Sequence, residues 1–363
     1  MNSTALVTPD VLSAFNLPHD CEISVLSGGH INYTFLARHH EKSIILQRIN
    51  SFVFPNPAHI MENICSVTSF LREKIISRGG NPERECLTVL PTTDGNMLYV
   101  DKENQTWRCV LFIQDTAAHE SASNLDMLKE AGFAFGDFQN LLRDFQADSL
   151  HEIIKDFHNT PARYSQLMEA VQNNPVDRLK TVTAELDFCN SRKEDCSWLY
   201  NQLSANQLPL RVTHNDTKMS NVLMDNVTNK ATCVIDLDTV MPGLTAYDFG
   251  DSIRAGASTA AEDEVDLSKV NFSLPHYDAY TEGFLKACGK SLTDLELKSL
   301  PYGAKLMTLE VGMRFLADYL NGDVYFRTSY PQHNLDRARN QFKLVADMEK
   351  HYDEMQEIVY RYC

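Results

Sequence analysis

The stretch Val212-Thr-His-Asn-Asp-Thr-Lys-Met-Ser-Asn221 is a polar loop between two apolar runs, and it gathers His214, Asp216, Lys218 and Asn221. Past Val222-Leu-Met-Asp225 and a short polar turn, Cys233-Val-Ile-Asp-Leu-Asp238 ends in acid. Transfer of a phosphoryl group to an alcohol needs little covalent help; it needs positioning and charge stabilisation. One carboxylate must align the hydroxyl and take its proton late. Hard oxygen ligands suit Mg2+, and a mobile cation can reach the transferred phosphate. Asp216 fits the first role, Asn221 and Asp236 the second, and Lys218 the third. An Asp of ordinary pKa, about 3.9, cannot deprotonate an alcohol in the ground state, so alignment comes first. His214 suits a role in holding the loop. Alone, His-Asn-Asp-Thr would pass for a polar turn, because Asn and Asp favour turns. Four residues of the right types, with a downstream strand that ends in Asp, outweigh that reading.

An Asp five residues ahead of a metal-binding Asn is also the spacing of the protein-kinase catalytic loop, and Asp216 and Asn221 have it. Asp248-Phe-Gly250 invites a different assignment, since Asp-Phe-Gly carries the metal-binding Asp of protein kinases. Here it lies 27 residues beyond Asn221, and Ile235-Asp236 already holds the metal-ligand place. Asp248 is expected to be a structural acceptor that braces the catalytic loop. Upstream, Ser27-Gly-Gly-His-Ile-Asn32 joins two strand-like runs, and the amides of Gly28 and Gly29 could close over a nucleotide. A glycine pair is common in hairpin turns, so its weight comes from its place ahead of the catalytic segment. No Walker A string occurs, which removes a P-loop fold.

These residues need two kinds of element to position them. The first third alternates as strands at 22–27, 31–37 and 43–49, with a helix expected over 57–78 and further strands at 86–90, 97–100 and 107–112. From about residue 124 the pattern turns helical, with stretches at 124–145, 163–173, 178–204, 275–288, 293–320 and 335–360, and a strand-rich insert at 210–240 carries the loop. The expected fold is α+β and bilobal, of protein-kinase type. A small antiparallel-sheet lobe over 1–115 would bind nucleotide, and a larger, mainly helical lobe over 116–363 would carry catalysis and substrate. The formal charge of −16 argues against a nucleic-acid partner. No run approaches the roughly 18 apolar residues of a membrane span. The nine cysteines are scattered without a Cys-x-x-Cys pair, and the N-terminus lacks the basic and apolar regions of a secretory signal. A cytoplasmic enzyme is the expectation.

Together the residues resemble the aminoglycoside phosphotransferase/choline kinase-like superfamily: His214-x-Asp216, Asn221, Ile235-Asp236, then Pro242 followed by Asp248. Within it the chain is similar to the N-acetylhexosamine 1-kinases. The strings that carry this are Gly29-His-Ile-Asn32, Ala134-Phe-Gly-Asp-Phe-Gln-Asn140, Arg211-Val-Thr-His-Asn-Asp-Thr-Lys218, Ile235-Asp-Leu-Asp-Thr239, Asp248-Phe-Gly-Asp-Ser-Ile-Arg254 and Gly312-Met-Arg-Phe-Leu-Ala-Asp-Tyr319. The resemblance implies ATP- and Mg2+-dependent phosphorylation of the anomeric hydroxyl of GlcNAc or GalNAc. By the same likeness Asp216 is the base and touches the sugar, Asn221 and Asp236 hold Mg2+, and His30, Arg314 and Tyr325 contact the sugar. The superfamily also implies a Lys on the third strand, yet Ile45-Leu-Gln-Arg-Ile49 offers Gln47 and Arg48. Either Mg2+ and Lys218 neutralise the phosphates, or Arg48 reaches round from the opposite face. A choline or ethanolamine kinase would need an aromatic cage, which Tyr319, Tyr325, Phe326 and Tyr330 could supply. An aminoglycoside kinase would want an acidic pocket, against which Arg314 and Arg327 weigh. A non-catalytic nucleotide-binding protein would have lost Asp216 or a metal ligand, and all are present.

Overall fold

The computed structural model describes residues 6–26, 31–40 and 42–363. The chain forms two compact units. Unit 1 holds Met1–Glu120, Asp144–Ile154 and Ser220–Met241; unit 2 holds Ser121–Arg143, Lys155–Met219 and Pro242–Cys363.

Unit 1 opens with helix α1 (Pro9–Ala14) and strands β1 (Glu22–Val25), β2 (Tyr33–His39) and β3 (Lys42–Ile49). Helices α2 (Pro57–Ser77) and α3 (Pro82–Glu85) follow, then β4 (Val89–Leu90), β5 (Tyr99–Val100), β6 (Thr106–Leu111) and β7 (Thr116–Ala117). The main sheet is antiparallel, in the order β1-β2-β3-β6-β4, with β5 also on β6. Period-two alternation gives it two different faces. Phe35, Ala37, Ile44, Leu46, Trp107 and Cys109 turn to one side and pack against Val11, Leu12 and Phe15 around α1. Thr34, Gln47 and Arg108, neighbours across the three central strands, share the opposite face. The chain forms β8 (Arg211–Thr213) in unit 2 and then returns with the hairpin β9 (Val222–Asp225) and β10 (Ala231–Val234), which β7 extends.

Unit 2 is helical: α4 (Leu125–Leu141), α5 (Thr160–Asn173), α6 (Thr183–Asn190), α7 (Trp198–Ser204), α8 (Thr245–Gly256), α9 (Leu274–Cys288), α10 (Asp294–Asn321), α11 (His333–Lys350) and α12 (Tyr352–Arg361). A short strand, β11 (Met241–Gly243), pairs with β8. Helix ends follow the side chains. Asn124 accepts the Met127 N–H to cap α4, and α10 opens with a capping box of Thr293 and Glu296. α10 closes on Gly322 at φ 95°, a left-handed position that suits glycine. The close packing of α8 on α10 depends on a glycine from each. A Cβ at Gly250 would lie 2.4 Å from the Gly303 carbonyl oxygen, and one at Gly303 would lie 2.2 Å from that of Ala246.

The α+β architecture agrees with the sequence, and several boundaries differ. The expected helix over 178–204 breaks into two, α6 and α7, around a polar turn at 191–197. The helix expected over 335–360 breaks at His351. Strands at 86–90 and 97–100 shrink to their last two residues, Val89–Leu90 and Tyr99–Val100. Helix α8, which was not expected, carries Asp248. Among the described residues, no helix is long and apolar enough to cross a membrane, and the cysteines are unpaired.

Candidate active site

The candidate catalytic loop leaves β8 after Thr213 and is held from within unit 2. Asp248 on α8 is fully buried and accepts the His214 N–H at 2.9 Å, the Asn215 N–H at 2.8 Å and the Gln139 side-chain amide at 2.7 Å. This is the bracing acceptor expected of it. Burial pushes its carboxyl above the ordinary value, and His214 together with the amide donors pulls the other way. Asn215 takes the left-handed conformation at φ 64°, which Asn tolerates better than most residues. One helical turn on, Asp251 accepts the Thr217 N–H at 3.0 Å, and the Thr217 hydroxyl donates to the Asp248 carbonyl at 2.7 Å. Tyr280 donates to Ser252, and Ser252 donates to the Thr217 carbonyl, at 2.7 and 2.9 Å.

His214 is buried and meets the rings of Phe135 and Phe138 edge-on. Its Nδ1 accepts the Asp216 N–H at 3.3 Å, so it holds the loop. The Asp216 side chain remains partly exposed, and the Lys218 ammonium lies 2.8 Å from Oδ1 and 3.0 Å from Oδ2.

In unit 1, Asn221 and Asp236 come together at one end of the β9–β10 hairpin. Val222 pairs with Val234 there, and the Ile235 N–H donates to the Asn221 carbonyl at 2.9 Å. Asn221 is buried, and Asp236 is left-handed at φ 60° and ψ 57°. Such a conformation costs a non-glycine residue on the order of 1 kcal/mol and is common where a side chain must be aimed. An amide oxygen beside a carboxylate is a hard donor set of the kind Mg2+ takes.

The third-strand position is resolved by the sheet register. Gln47 on β3 faces Arg108 on β6, and Arg108 Nε donates to Gln47 Oε1 at 2.8 Å. Gln47 in turn donates to Thr34 at 3.2 Å. Arg108 forms a buried ion pair with Asp238, which also accepts from Asn32 Nδ2 at 2.6 Å. Arg48 is on the other face, with its guanidinium 4.3 Å from the centre of the exposed Tyr33 ring. Arg108 was missed in the sequence. Its signal was a lone charge in the apolar strand Thr106-Trp-Arg-Cys-Val-Leu111, legible only once β6 is paired with β3. Gly28, Gly29 and His30 lie outside the described residues.

The other expected sugar contacts lie in unit 2. The Arg314 guanidinium on α10 stands 5.7, 5.8 and 5.5 Å from the ring centres of Phe157, Tyr325 and Phe326. Tyr325 is exposed, and its turn is built by Asp318, whose carboxylate accepts the N–H groups of Val324, Tyr325 and Phe326. Elsewhere in unit 1, His59, Glu62 and His151 offer donor atoms within 4.8 Å of one another. The two imidazoles are stacked 3.9 Å apart at an angle of 6°. Parallel rings cannot aim in-plane lone pairs at one ion, so this trio is a π-stack with a His151–Glu62 hydrogen bond.

Residues 123–282 match the sequence model of the phosphotransferase enzyme family, a segment that contains the catalytic loop, Asp248 and both candidate metal ligands. The fold is shared by solved small-molecule kinases at low identity. A microcompartment-associated aminopropanol kinase is 15% identical, with 97% of this chain and 98% of that one covered and a TM-score of 0.66. An aminoglycoside phosphotransferase from Alicyclobacillus acidocaldarius is 12% identical, covering 95% and 94%, at 0.61. A spectinomycin phosphotransferase in complex with ADP and spectinomycin is 13% identical, covering 94% and 92%, at 0.53.

Proposed function

We propose that this phosphotransferase is an ATP- and Mg2+-dependent cytoplasmic kinase that phosphorylates the anomeric hydroxyl of N-acetylhexosamines. Asp216 accepts a hydrogen bond from that hydroxyl, aligns it, and takes its proton as the new bond forms. Lys218 keeps a positive charge on the same carboxylate, and its long stem would let the ammonium follow the transferred phosphate. Asn221 and Asp236 would hold Mg2+, which supplies charge neutralisation on the nucleotide phosphates when bound. Arg108 takes the part of the missing third-strand lysine. It is the cation on the face that carries Gln47, and Asp238 and Gln47 fix its direction. Gly28 and Gly29 are proposed to cover the nucleotide, and His30, Arg314 and Tyr325 to contact the sugar.

The observation that carries the choice of acceptor is the state of the aromatic residues. A choline kinase needs open ring faces for a quaternary ammonium. Here Arg178 covers Tyr319 at 4.4 Å, Arg314 stands over Tyr325 and Phe326, and Tyr330 stacks on His333 at 4.6 Å. Tyr319, Tyr325 and Phe326 are already covered by the protein's own arginines, and Tyr330 by an imidazole ring. A guanidinium in that place offers donors to hydroxyl and acyl oxygens and repels an amine.

The test is ATP and Mg2+ with a panel of N-acetylhexosamines, hexoses, amino alcohols and aminoglycosides, followed by phosphorus NMR. The reading expects a doublet from an anomeric phosphate with GlcNAc or GalNAc. Phosphocholine, phosphoethanolamine or a phosphorylated aminoglycoside as the preferred product would replace it.

A further inference from the structure

Asn32 stands at the entry to β2 and meets the chain again 206 residues later, where its Nδ2 donates to Asp238 Oδ2 at 2.6 Å. The orientation of this amide is unambiguous. Asn32 Oδ1 accepts the Asn50 backbone N–H at 3.0 Å, and a backbone N–H can only donate, so the amino end is the one that faces the carboxylate. Asn50 lies just past β3 and is itself fixed. Its carbonyl accepts the Val53 and Phe54 N–H groups at 3.1 and 2.9 Å, and its Oδ1 accepts that of Phe52 at 3.1 Å. The start of β2 and the end of β3 are therefore pinned side by side, and these strands carry Thr34 and Gln47.

Asp238 belongs to a different piece of unit 1. It lies in the short helical turn Leu237–Thr239, which begins immediately after Asp236. That turn is held from two sides. The Arg108 guanidinium pairs with Asp238, and Asn63 on α2 donates to the Val240 carbonyl at 2.9 Å while its Oδ1 accepts the His151 N–H at 2.9 Å. Asp238 is only 4% exposed, and a carboxylate so buried keeps its charge through a counterion and hydrogen bonds. Arg108 supplies the first and Asn32 a charge-assisted bond. One carboxylate thus joins the sheet face of Thr34, Gln47 and Arg108 to the turn that aims Asp236.

We propose that Asn32 and Asp238 are positioning residues, and that the bridge between them makes nucleotide and Mg2+ bind cooperatively. The inference rests on the reading above, in which that sheet face meets the nucleotide phosphates and Asn221 with Asp236 holds the metal. Neither bridge residue is asked to touch the nucleotide or the ion. The bridge sets the two surfaces against each other in advance, so a ligand bound at one finds the other already placed, and each strengthens the other by the same factor. Without it the direct attraction of cation and phosphates remains, and the part of the coupling carried by the protein is lost.

The experiment titrates the full chain with ADP by calorimetry, once with Mg2+ and once with EDTA in its place, and takes the ratio of the two dissociation constants. This ratio needs no turnover, and a partly unfolded sample changes the stoichiometry and not the ratio. Asn32→Ala should lower the Mg2+ enhancement by about tenfold. Asn32→Ser, polar but too short to reach Asp238, should give the same fall and decides the matter if Asn32→Ala does not fold. The exchange Asn32→Asp with Asp238→Asn rebuilds the amide–carboxylate contact across the same gap. It keeps an acceptor for the Asn50 N–H and for Arg108, leaves the total charge unchanged, and should recover most of the enhancement. A role confined to holding the fold predicts a lower melting temperature with the ratio within about twofold of wild type, which would overturn the inference and leave the kinase reading intact. An exchange variant with a ratio as low as that of Asn32→Ala would do the same. A wild-type ratio near one would overturn both, because it would separate the metal from the nucleotide.

Discussion

At Arg108 a full positive charge is buried in a β-strand, and its removal has two separable consequences. Arg108→Ala leaves the buried Asp238 carboxylate without its partner, which should destabilise unit 1 by about 3–5 kcal/mol. It should also raise KM for ATP, if Arg108 supplies the charge that Gln47 cannot. The paired change Arg108→Met with Asp238→Asn distinguishes these effects. Denaturation should show most of the stability restored, while nucleotide titration should show the affinity still low; affinity restored along with stability would make Arg108 purely structural. At this scale Asp216, Lys218, Asn221 and Asp236 stood out as candidates because they share one loop and the hairpin that follows it. Arg108 stayed hidden for a physical reason. It pairs with Asp238, far along the chain, and a lone polar residue in an apolar setting does not announce its partner.

The element that sets the proposed catalytic loop is α8, whose carboxylates at 248 and 251 receive the loop amides. Its depth is fixed by the glycine contact with α10. Gly303→Ala would force a Cβ against the Ala246 carbonyl, at a cost of about 1–3 kcal/mol or a backbone shift of comparable strain. A shift of α8 would carry Asp248 with it, and a displacement of about 1 Å at a reacting group can cost roughly a hundredfold in rate. The variant should therefore lose kcat out of proportion to its change in melting temperature. A lower melting temperature with normal kcat would show that the loop does not follow the helix. The strand-rich first third and the long helices were legible from periodicity. α8 was not, because all of Thr245–Arg254 is buried. Its apolar residues Ala246, Phe249, Gly250 and Ile253 do recur at helical spacing, but the opposite face, Asp248, Asp251 and Ser252, meets the loop instead of water, so an acidic string with a glycine reads as a turn.

Across the whole molecule, buried carboxyls shape the response to acid. Burial raises Asp251 and Glu310, but Arg254 for the first and His158 for the second overcome it, and both end below the ordinary range. The half-buried Asp225 is held at about 2, first by the Thr228 N–H. A carboxyl depressed in the folded state stabilises fully above its unfolded value and loses that contribution as pH falls through its folded value. Asp248, raised by burial, has the opposite sign. The depressed groups outnumber it, so urea denaturation should give level stability from neutral pH to about 5 and a steep fall between about 4 and 2. Stability that rises over the lower interval would mean that the burial of Asp248 dominates.

The most direct measurement is turnover and nucleotide affinity of Asp216→Asn with N-acetylglucosamine, beside the wild type. Asn keeps the size and can still touch the hydroxyl, but it cannot take the proton. The account predicts nucleotide binding close to wild type and a kcat lower by about 10²–10⁴-fold. A variant that turns over N-acetylglucosamine at the wild-type rate would remove this carboxylate from the chemistry.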